Sequence, residues 1–310
     1  MKIRVLGSAA GGGFPQWNCN CHNCSAVRAG RHGFTARTQS SIAVTANGDD
    51  WLLVNASPDI LQQLKQNPQL QPARAQRDTG VVATMLMDAQ IDHVTGLLMM
   101  REGQRPMELY CTGSVWEDLS NGLPLAMTLS HYCGVNWSPL PTDGITEVQI
   151  PHLEGLSFLP IPLISKAPPY SPNRYSPRVG DNVGLMICNR NTGRKALYAP
   201  GLGEMTPELE AVMRQADTLL VDGTFWTEDE MIRLGFSAKP AADMGHLPQT
   251  GPQGDGRGGM IELLDRMPAD RKILIHINNT NPILDETGPQ RALLARHGIE
   301  VAFDGMEIDL

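Results

Sequence analysis

No stretch of this chain comes near the roughly 20 consecutive apolar residues that a helix needs to cross a bilayer, so a membrane-spanning helix is excluded. Charge is sparse, at 19% of residues, and the net charge is -8. There is no run of lysine and arginine, which argues against nucleic-acid binding through a basic face. Met1-Lys2-Ile3-Arg4-Val5-Leu6-Gly7 is broken by glycine too soon to form the apolar core of a signal peptide, and it reads as a first strand. The expected location is therefore the cytoplasm. There the six cysteines would be thiols or metal ligands rather than disulfides. No repeat of fixed short period is present. The glycine turn that runs from Gly7 to Phe14 lacks the Lys-Ser/Thr of a phosphate-binding loop and the spacing of a dinucleotide fingerprint. Its glycines more simply let the backbone pass close to a site or to another strand.

An apolar fraction of 41% over 310 residues is enough for a substantial core. A length of this kind suits one large domain or two smaller ones. The pattern alternates between strand runs and strand-helix units. Ser40 to Ala46 and Trp51 to Ala56 flank an Asn47-Gly48 hairpin turn. Ser57 and Pro58 then suit the cap and first position of a short helix. Buried-strand runs end at Met87, Val221 and Ile275, and a helix over 206–216 starts with Thr206 as cap. Residues 123–140 read as irregular. Each half carries strands followed by strand-helix units. This fits an α/β protein built as an αββα sandwich, with two sheets face to face and helices outside, over a single domain of residues 1–310. The proline-rich run over 165–180 breaks any helix or central strand. It suits either a mobile flap over an acidic substrate or an exposed disordered connection.

The chemistry gathers around Met85 to Gly96, which reads M-L-M-D-A-Q-I-D-H-V-T-G. A strand-like run enters it and a helix-forming run leaves it. Asp88, Gln90, Asp92 and His93 occupy the turn between. Carboxylate oxygen and imidazole nitrogen hold hard or borderline metals, although the same turn would also serve as a polar cap on the next helix. Asp222 and His276 follow later strand runs in the same way. Strand ends of an α/β protein commonly line a cleft. Asp92, His93, Asp222 and His276 together would offer two nitrogens and two oxygens, a set suited to Fe(II), Mn(II) or Zn(II). A core histidine and a capping aspartate are the plainer roles for His276 and Asp222. Within the loop at 15–30, Cys19, Cys21 and Cys24 form a C-x-C-x-x-C cluster dense enough for tetrahedral zinc. Its fourth ligand must come from elsewhere. His22 would be strained there, and His246 in Gly245-His246-Leu247-Pro248 is the better candidate. Cys111, Cys133 and Cys188 are isolated and read as small buried apolar residues.

The order Asp92-His93, Asp222, His276 resembles the metallo-β-lactamase superfamily, whose signature is H-x-H-x-D-H. This chain has Asp88 and Gln90 where the first two histidines stand, so an ordinary dinuclear zinc hydrolase is disfavoured and one metal site is left. The cysteines with His246 resemble the extra structural zinc site of the phosphodiesterase branch. Across most of the length, from V-L-G-S-A-A-G-G-G-F-P-Q-W-N-C-N-C through N-A-S-P-D-I to V-D-G-T-F-W, the chain is similar to the PqqB family of pyrroloquinoline quinone (PQQ) biosynthesis.

The resemblance implies an iron- and O2-dependent hydroxylase. Its substrate would be the small-molecule intermediate excised from a cross-linked Glu-Tyr pair. Asp92, His93, Asp222 and His276 would hold Fe2+, Asp88 would orient a ligand or move protons, and a structural Zn2+ would sit at the cysteines. Lys166 and arginines near the flap would pair with substrate carboxylates. Other proteins of the pathway, or a second copy of the chain, are the partners to look for. Two alternatives stay open: a non-catalytic carrier for moving PQQ or its precursor to the periplasm, and a zinc hydrolase.

Overall fold

The structure is a computed structural model that describes residues 1–310. Thirteen strands form two sheets. The first sheet has the spatial order β13-β1-β2-β3-β4-β5-β6. Its strands are β1 (Lys2–Gly7), β2 (Ser41–Thr45), β3 (Trp51–Val54), β4 (Val81–Met85), β5 (Met107–Cys111), β6 (Val135–Pro139) and β13 (Glu307–Asp309). The second has the order β12-β11-β10-β9-β8-β7. It comprises β7 (Leu156–Pro162), β8 (Val183–Asn189), β9 (Lys195–Ala199), β10 (Thr218–Asp222), β11 (Arg271–Ile275) and β12 (Ile299–Val301).

Strand periodicity explains the layering. In β10, Leu220 faces the first sheet, while Leu219 and Val221 face the outer helices. In β11, Ile273 and Ile275 point inward and Leu274 outward. Between the sheets lie Ile3, Val5, Ile42, Val44, Phe158 and Leu185, among others. Outside the second sheet, helices Pro207–Met213, Met260–Asp265 and Pro289–Arg296 bury Leu209, Ile261, Leu264 and Leu294. Helices Ile60–Gln66, Gly96–Met99, Gly113–Glu117 and Leu125–Leu129 cover the first sheet with Ile60, Leu97, Val115 and Leu125. The αββα sandwich expected from the sequence is the observed architecture. No helix is long and apolar enough to cross a membrane.

Local differences have simple causes. Residues 123–140, read as irregular, hold the helix Leu125–Leu129 and the edge strand β6, which pairs in parallel with β5. Val135 and Trp137 alternate with Asn136 and Ser138 and pack partly buried against the helix-covered core, but the run is only five residues long and ends in Pro139. The helix after Pro58 starts at Ile60, because Ser57 Oγ accepts from the Asp59 amide at 3.2 Å and makes a turn there instead of a cap. Cys111 and Cys188 are buried as expected, whereas Cys133 is only half-buried.

Gly96 sets how close the turn after β4 can come to the turn after β3. Its amide donates to Ala56 O at 2.9 Å, and the Ala56 amide donates to His93 O at 2.7 Å. A Cβ at Gly96 would stand 2.2 Å from Ser57 O and 2.7 Å from Ala56 O, both backbone atoms with little freedom to move. Gly96→Ala is therefore expected to cost about 1–3 kcal/mol through overpacking and to displace the short helix that carries Asp92 and His93. Urea unfolding measures the first effect and metal content of the folded protein the second.

The long excursion from 226 to 259 is fastened by Glu230. Its carboxylate accepts from the Trp226 amide at 2.7 Å and the Thr280 hydroxyl at 2.5 Å. Burial, offset in part by those two donors, pushes its pKa up to about 7 from the ordinary 4.5. Between these values the unfolded chain is ionised and the folded chain holds the proton, so this group's contribution falls as pH rises from 4.5 to about 7. Glu230→Gln removes the ionisation. Relative to the parent, it should gain up to about 3 kcal/mol at pH 8 and nothing comparable at pH 4.5, read from urea midpoints at the two pH values.

Candidate metal centre

Parallel pairing places the site. Asp222 at the end of β10 lies beside Ile275 of β11, so His276 emerges one residue further on, at the same sheet edge. The His276 backbone is in the left-handed region, with φ at 61°. Such a conformation is uncommon outside glycine and clusters at functional sites. It is held from both sides: Thr224 Oγ1, whose proton goes to Asp222, lies 2.9 Å from His276 O, and the Ile277 amide donates to Ser8 O at 2.9 Å. From the opposite sheet, the turn after β4 brings in Asp92 and His93. His276 Nε2 is 3.5 Å from Asp92 Oδ2, and the His93 and His276 rings meet edge to face at 5.2 Å. The glycine turn passes directly over this point. A Cβ on Gly11 would stand 3.1 Å from Asp92 Oδ2 and would press on that carboxylate.

Asp88 and Gln90 are turned away from metal binding. Both Asp88 oxygens lie against His93 Nδ1, at 2.8 and 2.9 Å, and Oδ1 also accepts from the Gln90 amide at 2.8 Å. Gln90 Nε2 donates to Lys166 O at 3.2 Å. With Nδ1–H donating to Asp88, the His93 lone pair is at Nε2. That nitrogen is buried without a hydrogen-bond partner and faces Asp92 Oδ2 at 3.7 Å. An orphaned ring nitrogen beside a carboxylate oxygen fits a metal ion as third partner. Burial opposes a charge on His93, but Asp88 and Asp92 outweigh it and push the pKa up to about 9, so a metal ion at Nε2 would take the place of a proton there.

His246 is the main correction to the sequence reading. It does not approach the cysteines. Its Nδ1 lies 2.7 Å from Asp222 Oδ2, and its ring stacks on His276 at 5.3 Å. Asp222 also accepts from the Leu202 amide at 2.9 Å and the Thr224 hydroxyl at 2.6 Å. Burial would raise the Asp222 pKa, but His246 and His276 hold it below the ordinary value. Two potential ligand triads result, Asp92-His93-His276 and Asp222-His246-His276, and they share His276. Thr224, which lies 2.9 Å from His276 Nδ1 and 3.1 Å from His246 Nδ1, was not singled out from sequence. Its place two residues after Asp222 was the available signal.

Cys19, Cys21 and Cys24 do converge, with sulfurs within 4.8 Å of one another. His22 turns outward against Phe34. The 165–180 segment lies over the metal turn: the Tyr170 hydroxyl donates to Ala89 O, and Ser171 Oγ donates to Asp118 at 2.6 Å. The ammonium of Lys166 donates to Asp243 O at 2.6 Å. Arg174 donates to Ala167 O, and Arg178 pairs with Glu117 at 2.5 Å. These cations are engaged within the protein.

Comparison with known proteins gives a consistent picture. A family model described as the beta-lactamase superfamily domain matches residues 50–277. Coenzyme PQQ synthesis protein B of Cupriavidus necator is 64% identical over 309 residues, covering 100% of this chain and 99% of the relative. Its counterpart in Azoarcus sp. is 60% identical over 311 residues and covers both chains fully. The crystal structure of Zn2+-bound PqqB from Methylobacterium extorquens is 38% identical, covers 100% of both chains and has a TM-score of 0.88. A diphosphatase of the PhnP family, at 16% identity and a TM-score of 0.68, shares the fold.

Proposed function

This chain belongs to the coenzyme PQQ synthesis protein B family, within the β-lactamase superfamily, and from that premise we propose that it serves PQQ synthesis as an iron- and O2-dependent hydroxylase. The substrate in this reading is the tyrosine ring of the excised, cross-linked Glu-Tyr intermediate. The observation that carries it is the meeting of strand ends from the two sheets, where Asp92 and His93 on one side and Asp222 on the other gather around His276, while Asp88 and Gln90 are committed to internal partners. Two histidines and a carboxylate on one side are the donor set of oxygen-activating iron sites, and a second carboxylate adds to it here. A dinuclear hydrolase would need nitrogen donors where Asp88 and Gln90 stand. An iron ion at these residues would supply redox and Lewis-acid chemistry for ring hydroxylation.

The chain's own groups prepare the site. Asp88 fixes the His93 tautomer through Nδ1. Thr224 bonds Asp222 and holds the turned backbone of His276. His246, hydrogen-bonded to Asp222 at Nδ1, is placed to hold or move a proton at the edge of the site. The Tyr170–Ala89 contact ties the 165–180 segment to the metal turn, so we assign that segment the role of excluding water. A structural zinc is assigned to the three cysteines.

The deciding experiment is metal content with oxygen uptake. Protein purified anaerobically is expected to retain zinc at the cysteines. On addition of Fe(II), O2, a two-electron reductant and a tyrosine- or catechol-like substrate, it should consume oxygen coupled to hydroxylated product, with one oxygen atom entering the ring and the other reduced to water. Zinc alone, with no uptake under any metal, would sink the oxygenase and leave the carrier. Within this reading, Asp88→Asn keeps the shape but removes the charge behind His93. Affinity for the active-site ion should fall about 10–100-fold in a chelator competition, and an unchanged affinity would mean that His93 is oriented without Asp88.

A further inference from the structure

We infer that Asp304, which hydrogen-bonds to no proposed metal ligand, is a positioning residue for His276: by holding Ser8 it fixes the strap that pins the left-handed turn of that histidine. The inference rests on the metal centre proposed above and deepens it, by naming what sets the position of the ligand common to both triads.

The strap is the run Ser8-Ala9-Ala10, which leaves β1 and leads into the glycine turn over Asp92. It grips the residue that follows His276 by both backbone groups. The Ile277 amide donates to Ser8 O at 2.9 Å, and the Ala10 amide donates to Ile277 O at 2.9 Å. On its other flank the strap pairs with residues 38–40: the Ala9 amide donates to Thr38 O at 2.9 Å, and the Ser40 amide donates to Ala9 O at 2.7 Å. A φ of 61° at His276 is unfavourable for a residue with a side chain, and it persists only where the surroundings over-determine it. The strap is part of those surroundings, so whatever fixes the strap fixes the histidine.

Asp304 supplies that anchor from the turn after β12. Its Oδ1 accepts from the Ser8 amide at 3.0 Å and the Ser8 hydroxyl at 2.8 Å. Its Oδ2 accepts from the Thr38 amide at 2.6 Å and the Thr38 hydroxyl at 2.8 Å. One carboxylate therefore braces the strap and its neighbour together. Only a carboxylate offers acceptors in both directions with no donor of its own, and an ionised acceptor makes the stronger bonds. The turn is tied to the strand that bears the histidine as well. The Ala302 amide donates to Leu274 O at 2.9 Å, two residues before His276, and Ala302 O accepts from the buried Arg37 guanidinium.

The test compares the full-length parent with Asp304→Asn, Ser8→Ala and Phe158→Ala, using Co2+ as the probe. Cobalt at oxygen and nitrogen donors gives d–d bands without thiolate charge transfer, which separates it from cobalt at the cysteines. Asp304→Asn keeps the shape but turns one acceptor into an N–H2 that faces two donors. It should bind Co2+ at the histidine site about tenfold more weakly, or worse, with shifted d–d bands. Ser8→Ala removes one donor of the four and should lose about threefold. Phe158→Ala loses its stability between the sheets, away from the strap, and should keep the parent's affinity and bands. An Asp304→Asn protein with the parent's affinity and bands overturns the inference. So does a Phe158→Ala protein weakened as far, which would make the loss one of general stability. Where Asp304→Asn does not fold, Ser8→Ala decides, and an unchanged site there overturns the inference. A parent without these d–d bands would overturn the metal centre itself, and the role of Asp304 with it.

Discussion

His93→Ala is expected to reduce oxygen-coupled turnover by on the order of 10³-fold or more, because a ligand loss removes several kcal/mol of metal-dependent stabilisation. The effect should be specific. Zinc at the cysteines should remain while the active-site ion is lost, so metal analysis would show one site emptied and the other filled. A second consequence follows from burial. Asp88 keeps only the Gln90 amide once His93 is gone, and it is 5% exposed. A buried carboxylate stripped of its partner costs stability, typically about 3–5 kcal/mol. The double variant His93→Ala/Asp88→Ala should regain part of that stability and none of the turnover. Turnover that survives in a folded His93→Ala protein would remove the proposed centre from the chemistry. Retained PQQ binding with no turnover in parent or variant would favour the carrier.

Phe158→Ala tests the sandwich on which the site is mounted. Phe158 is 0% exposed in β7 and packs between the sheets with Ile187, Val44 and Leu185. Truncation loses the transfer energy of the ring and leaves a cavity, for which about 3–5 kcal/mol is the usual cost. The urea midpoint should fall with little change in slope, since the surface exposed on unfolding is nearly the same. Both backbone bonds between Phe158 and Val148 are independent of the ring, so the strand itself should persist. Metal content per folded chain should therefore match the parent at low urea. A loss below about 1 kcal/mol would mean that the two sheets close over the deleted ring.

The places where sequence reading succeeded and failed share a physical logic. The αββα architecture was legible because the strand runs alternate or are buried on both faces, and because Thr206 and Gly298 punctuate their helices as capping chemistry requires. β6 was not legible, since its alternation is confined to the four residues Val135 to Ser138, only partly buried, before Pro139. Asp92, His93, Asp222 and His276 stood out because each follows an apolar strand run. The sequence offered Asp88 an orienting or proton-moving role without naming a partner, and the structure sets its carboxylate against His93 Nδ1.

His246 went astray because it lies in a 34-residue excursion, 226–259, whose path no local pattern determines. Gly245 turns the chain with φ at 90° and delivers the imidazole to Asp222. The contact of the Asn279 amide with the three cysteine sulfurs was invisible for the same reason. Nothing in the run Asn278-Asn279-Thr280-Asn281 distinguishes one amide from the others until Asn23 clamps the loop beside the cysteines. The sequence by itself determined the donor types at the strand ends, the three cysteines and the two-layer core, all carried by short-range spacing and hydrophobic period. Only the tertiary structure decided which distant residues complete each cluster. Loop closure over tens of residues is governed by packing and hydrogen bonds that form once the sheets have met.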